Sequence, residues 1–146
     1  MPVITLDILV EGMRRDDVLN WLSDFENHVR IMQKSFPNSQ QGSGMSLKLP
    51  LYAGFKQRTL EYHFQGKDDS HGGRRVLVKT TGKRMEGSLH YSLRTMKPSS
   101  NTLVTLHMDY NSGSVLGMLL KDDIQDQLEN QLKNVLRELK FSLENS

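Results

Sequence analysis

The hydrophobic pattern of this chain changes its period once, near residue 112. Before that point apolar residues recur at every second position in several short segments, whereas from Leu116 to Leu143 they recur every three or four positions. The first period is that of a β-strand with one buried face, and the second is that of an amphipathic helix. The sequence therefore predicts a run of strands closed by one C-terminal helix of roughly 30 residues.

The remaining elements follow from shorter patterns. An opening strand is expected at 4–10, and one helix or two short ones at about 14–30, followed by a turn-rich segment at 35–46. Five further strands are expected at 45–51, 55–65, 74–81, 85–94 and 104–110, with a polar loop at 66–73. This order predicts an α+β fold with an antiparallel sheet of about seven strands.

Two tight turns predict how the later strands pair. A two-residue turn at Gly82–Lys83 places Val76 opposite Leu89. A second turn at residues 98–101 places Tyr91 opposite Met108 and His90 opposite Asp109. Apolar faces meet in both hairpins, which supports a meander because a one-residue slip would reverse every side chain.

Composition excludes several classes of protein. The 146 residues fit one domain, taken as residues 1–146, and 25% of them are charged, which is ordinary for a globular chain. There is no Cys, which excludes disulfides, thiol catalysis and Cys-based zinc sites. No apolar run is long enough to span a membrane. The first residues lack a basic segment and Asp7 interrupts their apolar stretch, so we expect no signal peptide and, by default, a cytoplasmic location.

Positive charge is concentrated in the middle of the chain. Residues 48–97 carry 11 basic and 4 acidic side chains, although the whole chain has a net charge of only +2. This excess is read either as a solvated sheet face or as a patch for an acidic partner or a transient contact with a membrane surface. Lys79, Arg84 and Arg94 are the candidate cations of that patch.

Motifs for catalysis and cofactor binding are absent or incomplete. Gly82-Lys83 resembles the end of a phosphate-binding loop, but Leu77 and Arg84 occupy positions that need Gly and Ser or Thr. By strand alternation, His63, His90 and His107 point away from the apolar face. A surface metal site at His90, His107 and Asp109 is weighed against exposed sheet residues, which are preferred. His28 lies on the early helix, where a general-base role is weighed but not assigned. No catalytic residue, metal, cofactor or nucleic-acid partner is predicted, and the oligomeric state is left open.

A sheet with one apolar face needs a cover, and the long C-terminal helix provides it. If the sheet is strongly curved, the helix is held away from part of it. The space between them is then a candidate cavity for a small molecule.

The order of elements resembles the START-like, or Bet v 1-like, helix-grip superfamily over essentially the whole chain. The resemblance rests on the opening strand, the helical segment at 21–26, the strand at 85–91 and the entry into the last helix at 110–120. It implies a curved sheet wrapped around the C-terminal helix, with two short helices after the first strand. It implies binding or transport of a lipid, quinone or polyketide-like molecule, or a cyclase or dehydratase activity in the same cavity.

The candidate ligand-binding residues are those expected on the inner surface. Arg58 shares the parity of Leu60 and is expected to point inward or to line the mouth, where it needs an acidic partner, water or an anionic ligand group. Buried tyrosine hydroxyls need partners too. The full set is Trp21, Phe25, Leu49, Arg58, Leu60, Tyr62, Phe64, Val78, Met85, Leu89, Tyr91, Met108, Tyr110, Leu120, Ile124, Gln127 and Gln131.

Three functions remain open from the sequence. The first is a module that binds or transports a hydrophobic small molecule between the sheet and the helix. The second is an enzyme of the cyclase or dehydratase type, which needs an acid or base inside the chamber. The third is an adaptor whose basic sheet face meets an acidic partner.

Overall fold

Seven strands and three helices form the described fold. The computed structural model describes residues 3–53, 56–69, 73–82, 85–111 and 121–145, without the side chains of 52, 53, 56–58, 82, 85, 111 and 121–124. The strands are β1 (Val3–Val10), β2 (Gln40–Gln41), β3 (Ser46–Ala53), β4 (Lys56–Asp68), β5 (Arg75–Gly82), β6 (Met85–Met96) and β7 (Asn101–Asn111). The helices are α1 (Arg15–Leu22), α2 (Phe25–Ser35) and α3 (Lys121–Glu144).

All seven strands belong to one antiparallel sheet in the order β1-β7-β6-β5-β4-β3-β2. The six strands after the helices form a meander, and β1 closes it by pairing with β7. The predicted α+β fold, with about seven strands and two short helices after the first strand, is confirmed.

Both hairpin registers differ from the sequence prediction by two residues. Val76 pairs with Tyr91 rather than with Leu89, because Gly82 belongs to β5 and pairs with Met85. His90 pairs with His107 rather than with Asp109, because β6 continues to Met96, which pairs with Asn101. A shift of two residues keeps each side chain on its predicted face of the sheet, so the predictions of which side chains point inward and which point outward are unchanged.

Strand β4 extends further than the sequence predicts. A β-bulge between Phe64 and Gly66 lets the strand continue to Asp68, through the first residues of the expected polar loop. Gly66 has a φ of +95°, a backbone conformation that residues other than Gly adopt only at a steric cost.

Three hydrogen bonds mark the division of the early helical segment into α1 and α2. The Asp24 carboxylate accepts a hydrogen bond from the Glu26 backbone N–H at 3.1 Å, which caps the start of α2. At the end of α1, Asn27 Nδ2 donates to the Trp21 carbonyl at 2.8 Å, and His28 binds the Leu22 carbonyl. The sharp turn thus satisfies two carbonyls that a helix end would leave without partners.

Helix α3 lies across the concave face of the sheet. It packs against β1 at one edge, against β3 near the other edge, and against α2. One helix reaches both sides of a seven-stranded sheet because the sheet curls around it, as a helix-grip arrangement requires. The residues that α3 buries are Leu128, Leu132, Val135, Leu136, Leu139 and Leu143.

A polar contact also fastens α3 to the sheet edge. Lys140 Nζ donates to the Leu9 backbone carbonyl at 2.6 Å and lies 2.9 Å from the Glu144 carboxylate. The expected start of this helix near Leu116 lies outside the described residues, as does its entry segment.

Candidate functional site

Most of the predicted inner-surface residues are buried between the sheet and the helices. Nine of them have at most 8% of their surface exposed, which makes them part of the core. Whether a ligand touches them stays a prediction. They are Leu49, Leu60, Tyr62, Phe64, Val78, Leu89, Tyr91, Met108 and Tyr110.

Two aromatic residues of the predicted set take different positions. Phe25 is partly buried, and its ring lies 5.7 Å from that of Phe64, so it reaches the interior. Trp21 is also partly buried but lines a surface groove of about 590 Å³ together with Arg30 and Phe141. Phe25 therefore lies beside the interior, whereas Trp21 lies near Phe141 at the end of α3.

The predicted polar residues are only partly described. Arg58 pairs in register with Leu51, but its side chain lies outside the described set. The side chains of Met85 and Ile124, and all of Leu120, also lie outside it. Gln127 and Gln131 are half-buried on α3, and the Gln131 Oε1 atom is fully covered.

A small cavity separates α2 from β4 and β5. Its open volume is about 10 Å³, room for one water molecule at most. The expected hollow is thus nearly closed by side chains in this part of the molecule. The lining residues are Phe25, His28, Met32, Leu47, Tyr62, Phe64 and Val78.

Three of these lining residues, His28, Met32 and Leu47, were absent from the sequence-based set. His28 and Met32 follow Phe25 at spacings of three and seven, which places all three on one face of α2. That spacing was the sequence signal from which His28 and Met32 could have been predicted to line the cavity. The strand parity of Leu47 with Leu49 would have added the third residue.

The His28 imidazole is the most chemically distinctive group of the interior. It is 3% exposed, and its ring centroid lies 4.9 Å from that of Phe64 and 5.7 Å from that of Tyr91. Burial lowers the pKa of His28 to about 4, although the hydrogen bond to Leu22 and the charge of Asp24 act in the opposite direction.

The hydrogen bond of His28 determines which of its nitrogens is reactive. Nε2 lies 2.5 Å from the Leu22 carbonyl oxygen, which accepts a hydrogen bond, so Nε2 carries the proton. Nδ1 of the neutral ring then carries a lone pair. The interior therefore contains an uncharged imidazole that can accept a hydrogen bond or a proton.

Two buried phenols face the same interior. The hydroxyls of Tyr62 and Tyr91 have no hydrogen-bond partner within the described part of the chain. Burial raises the pKa of both phenols far above the usual value, and the nearby Tyr62 raises that of Tyr91 further. Both remain protonated at neutral pH and can donate a hydrogen bond.

The opposite face of the sheet carries the other predicted histidines. The rings of His90 and His107 stack with centroids 4.9 Å apart, and His107 Nδ1 lies 3.1 Å from Thr5 Oγ1. Burial, followed by the charges of Arg75 and His107, lowers the pKa of His90 to about 4. Across the described ranges, no group of three His, Asp or Glu side chains is arranged to hold a metal ion.

The charges on this outer face are mixed. Glu61 pairs in register with Lys48, and Asp68 pairs with Arg75. Lys79 and Arg94 are exposed, whereas the predicted Arg84 lies outside the described residues. Acidic residues thus pair in register with Lys48 and Arg75 on the face that the sequence indicated as basic. No described helix is long and apolar enough to cross a membrane.

Sequence comparisons identify no relative. No protein-family model matches the chain, and no curated protein is similar to it in sequence.

Solved structures, in contrast, share the fold over nearly the whole chain. The Zhui aromatase/cyclase from Streptomyces sp. R1128 has a TM-score of 0.66 at 15% identity, covering 98% of this chain and 93% of that one. Ara h 8.0201 has a TM-score of 0.63 at 8% identity, covering 99% and 100%. A START superfamily protein from Mycobacterium smegmatis has a TM-score of 0.53 at 12% identity, covering 98% and 94%. The chain therefore has a Bet v 1/START-like helix-grip fold.

Proposed function

We propose that residues 1–146 form a single domain that binds a hydrophobic small molecule between the curved sheet and the helices. The observation that carries the proposal is the pair of buried phenols, Tyr62 and Tyr91, without partners in the described structure. A buried hydroxyl without a hydrogen bond is costly, and a polar group of a ligand would satisfy it. The apolar rings around these hydroxyls supply the surface that such a ligand would cover.

Binding on this proposal includes a rearrangement of side chains. A drug-sized ligand needs roughly 300 Å³ or more, far above the open volume between α2 and the sheet. Met32 has a flexible side chain and lines this cavity next to Phe25 and Phe64. Movement of these three side chains toward solvent would open space beside Tyr62 without breaking the sheet.

The test is ligand-dependent stability in a variant whose cavity is filled. Val78 lines the cavity, and Val78→Phe places a ring in the space that the ligand would take. At a free ligand concentration of about 100 times Kd, we expect the wild type to gain about 2.7 kcal/mol of unfolding free energy. Calorimetric unfolding with a panel of long-chain alcohols and substituted naphthalenes measures the gain.

The control adds the same ring elsewhere. Val3 is 47% exposed on the edge strand, so Val3→Phe should keep the full ligand-dependent gain, whereas Val78→Phe should lose it. If no panel member stabilises the wild type, or if Val78→Phe responds as strongly as Val3→Phe, the interior is not the binding site.

The buried imidazole favours a second function, an enzyme that uses the same interior. In this alternative, His28 Nδ1 takes a proton from the carbon next to a ligand carbonyl, and Tyr62 or Tyr91 donates a hydrogen bond to the enolate oxygen. The structural likeness to an aromatase/cyclase is consistent with this chemistry. A pKa near 4 makes His28 a weak base in the closed interior, so this activity ranks second.

Proton exchange tests the enzymatic alternative without knowledge of the natural substrate. In deuterated buffer, the methyl protons of 2-acetylnaphthalene should exchange faster with the protein than without it, as followed by NMR. His28→Gln keeps an N–H donor for the Leu22 carbonyl but has no basic nitrogen, so it should reduce exchange to the rate in buffer alone. Equal exchange with the wild type and with His28→Gln would reject His28 as the base.

A further inference from the structure

Most of the covered polar atoms that lack a hydrogen-bond partner in the described structure lie in the interior, although Ser39 Oγ, in the loop after α2, is another. Among the described residues, the hydroxyls of Tyr62, Thr80 and Tyr91 and the Oε1 atom of Gln131 are covered and lack hydrogen-bond partners. Native proteins leave few buried polar atoms unsatisfied, so a group of them needs a physical explanation.

The other buried polar residues show that this is a local feature. Ser46 Oγ donates to the Ser43 carbonyl at 2.7 Å, and Thr102 Oγ1 donates to the Met13 carbonyl at 2.8 Å. Asn27 and His28 bind the carbonyls at the end of α1. These four side chains are thus satisfied, whereas the hydroxyls of Tyr62, Thr80 and Tyr91 on the inner face of the sheet are not.

The unpartnered atoms lie on adjoining elements. Tyr62 of β4 and Thr80 of β5 are direct partners in the sheet register. Tyr91 projects from β6 close enough for the Tyr62 phenol to affect it electrostatically, and Gln131 lies on α3. A molecule of moderate size between the sheet and the helix would reach several of them at once.

The described side chains of this region carry no formal charge. No Asp, Glu, Lys or Arg is among the buried residues of the described ranges, and the His28 imidazole is neutral at pH 7. A carboxylate moved from water into such surroundings loses its hydration without gaining a counter-charge. An uncharged oxygen loses less hydration and regains hydrogen bonds from the phenols.

We propose that the site selects an uncharged carbonyl compound with a ring system over a carboxylate of the same size, and that Tyr62 and Tyr91 determine this selectivity by donating hydrogen bonds to the carbonyl oxygen. The inference rests on the proposed binding function and specifies its ligand chemistry. The surrounding rings of Phe25, Phe64 and His28 favour a flat apolar body for the ligand.

Three probes of equal ring size test the selectivity. They are 2-acetylnaphthalene, 2-ethylnaphthalene and 2-naphthoate, titrated by calorimetry at about pH 8, where the carboxylate is ionised. We expect the ketone to bind about tenfold more tightly than the hydrocarbon, the value of one hydrogen bond. We expect the carboxylate to bind at least about tenfold more weakly than the ketone.

Isosteric variants connect the selectivity to the two phenols. At least one of the variants Tyr62→Phe and Tyr91→Phe should bind the ketone about tenfold more weakly than the wild type does. Both should bind 2-ethylnaphthalene with unchanged affinity. Unchanged hydrocarbon affinity also shows that the variants remain folded. Neither variant removes a hydrogen bond of the described structure, so their thermal stability should equal or exceed that of the wild type.

The outcomes separate this inference from the proposed function. If none of the probes binds, both fail. If 2-ethylnaphthalene binds but the ketone gains nothing over it, or both Tyr→Phe variants keep full ketone affinity, the interior binds apolar molecules and the inference alone is wrong. If 2-naphthoate binds most tightly and Arg58→Gln abolishes that preference, the ligand is an anion held by Arg58, which also overturns the inference.

Discussion

His28 connects the helical turn to the chamber. Its Nε2–H satisfies the Leu22 carbonyl at the end of α1, while its ring contacts Phe64 and Tyr91 on the sheet. One side chain thereby holds the two short helices together and lines the cavity. Strand parity predicted which residues of β4 to β7 point inward. The spacing of His28 from Phe25 indicates the face of α2 on which it lies, but not how deeply it is buried, because helical spacing leaves open which part of a face the neighbouring sheet covers.

The His28 environment predicts how stability depends on pH. The imidazole binds a proton near pH 6.5 in the unfolded chain, whereas burial lowers its pKa to about 4 in the folded protein. Between these values the unfolded state binds more protons. Stability contributed by His28 is therefore fully present above pH 6.5 and falls as the pH drops toward 4, by about 3 kcal/mol in total.

Urea unfolding between pH 7 and pH 4 measures this dependence. His28→Gln should flatten the curve but not abolish its slope, because the pKa of His90 is also lowered to about 4. His63→Gln is the matched control, since His63 lies on the outer face beside Thr81 and Glu61. The attribution to His28 is wrong if the His28→Gln curve is as steep as that of His63→Gln.

At the scale of the elements, the sequence predicted faces better than registers. Alternation fixes the side of the sheet that a residue occupies, but the pairing partner depends on where each turn begins. The expected Gly82–Lys83 turn was wrong because Gly82 completes β5 and pairs with Met85. Because the register differs by two residues from the prediction, the cross-strand neighbours on the outer face differ too. His90 therefore pairs with His107 instead of Asp109.

The close approach of β6 and β7 at Gly87 yields a prediction for one hairpin. A Cβ atom at this position would overlap the carbonyl oxygen of Asp109 and the backbone of Tyr110. Gly87→Ala should therefore separate the two strands and reduce the unfolding free energy by more than about 2 kcal/mol. Chemical denaturation with an unchanged m-value would measure this loss.

A second glycine separates backbone strain from overlap. Gly44 has a φ of +66° but no atom within 4 Å of a Cβ position, so Gly44→Ala should cost about 1 kcal/mol from the backbone conformation alone. Equal losses for Gly44→Ala and Gly87→Ala would mean that the strands do not approach as closely as described.

For the whole molecule, the order of elements was sufficient to predict the architecture. A sheet with one apolar face and a single long helix has few ways to bury both. The volume of the interior was not predictable, because the same leucines and methionines either fill a core or line a cavity according to how their side chains pack. Leu128 and Leu132 of α3 are fully buried, and only a small space remains beside α2 in the described part of the chain.

The pairing of β1 with β7 has a consequence for biosynthesis. Val10 pairs with Thr102, so β1 has no strand partner until β7 has been translated. Helix α3, which Lys140 anchors to Leu9, follows later still. Contacts this distant in sequence form slowly, and a nascent apolar strand is prone to aggregate meanwhile. We therefore expect the ribosome-bound polypeptide to need protection by chaperones until its C-terminal segment emerges.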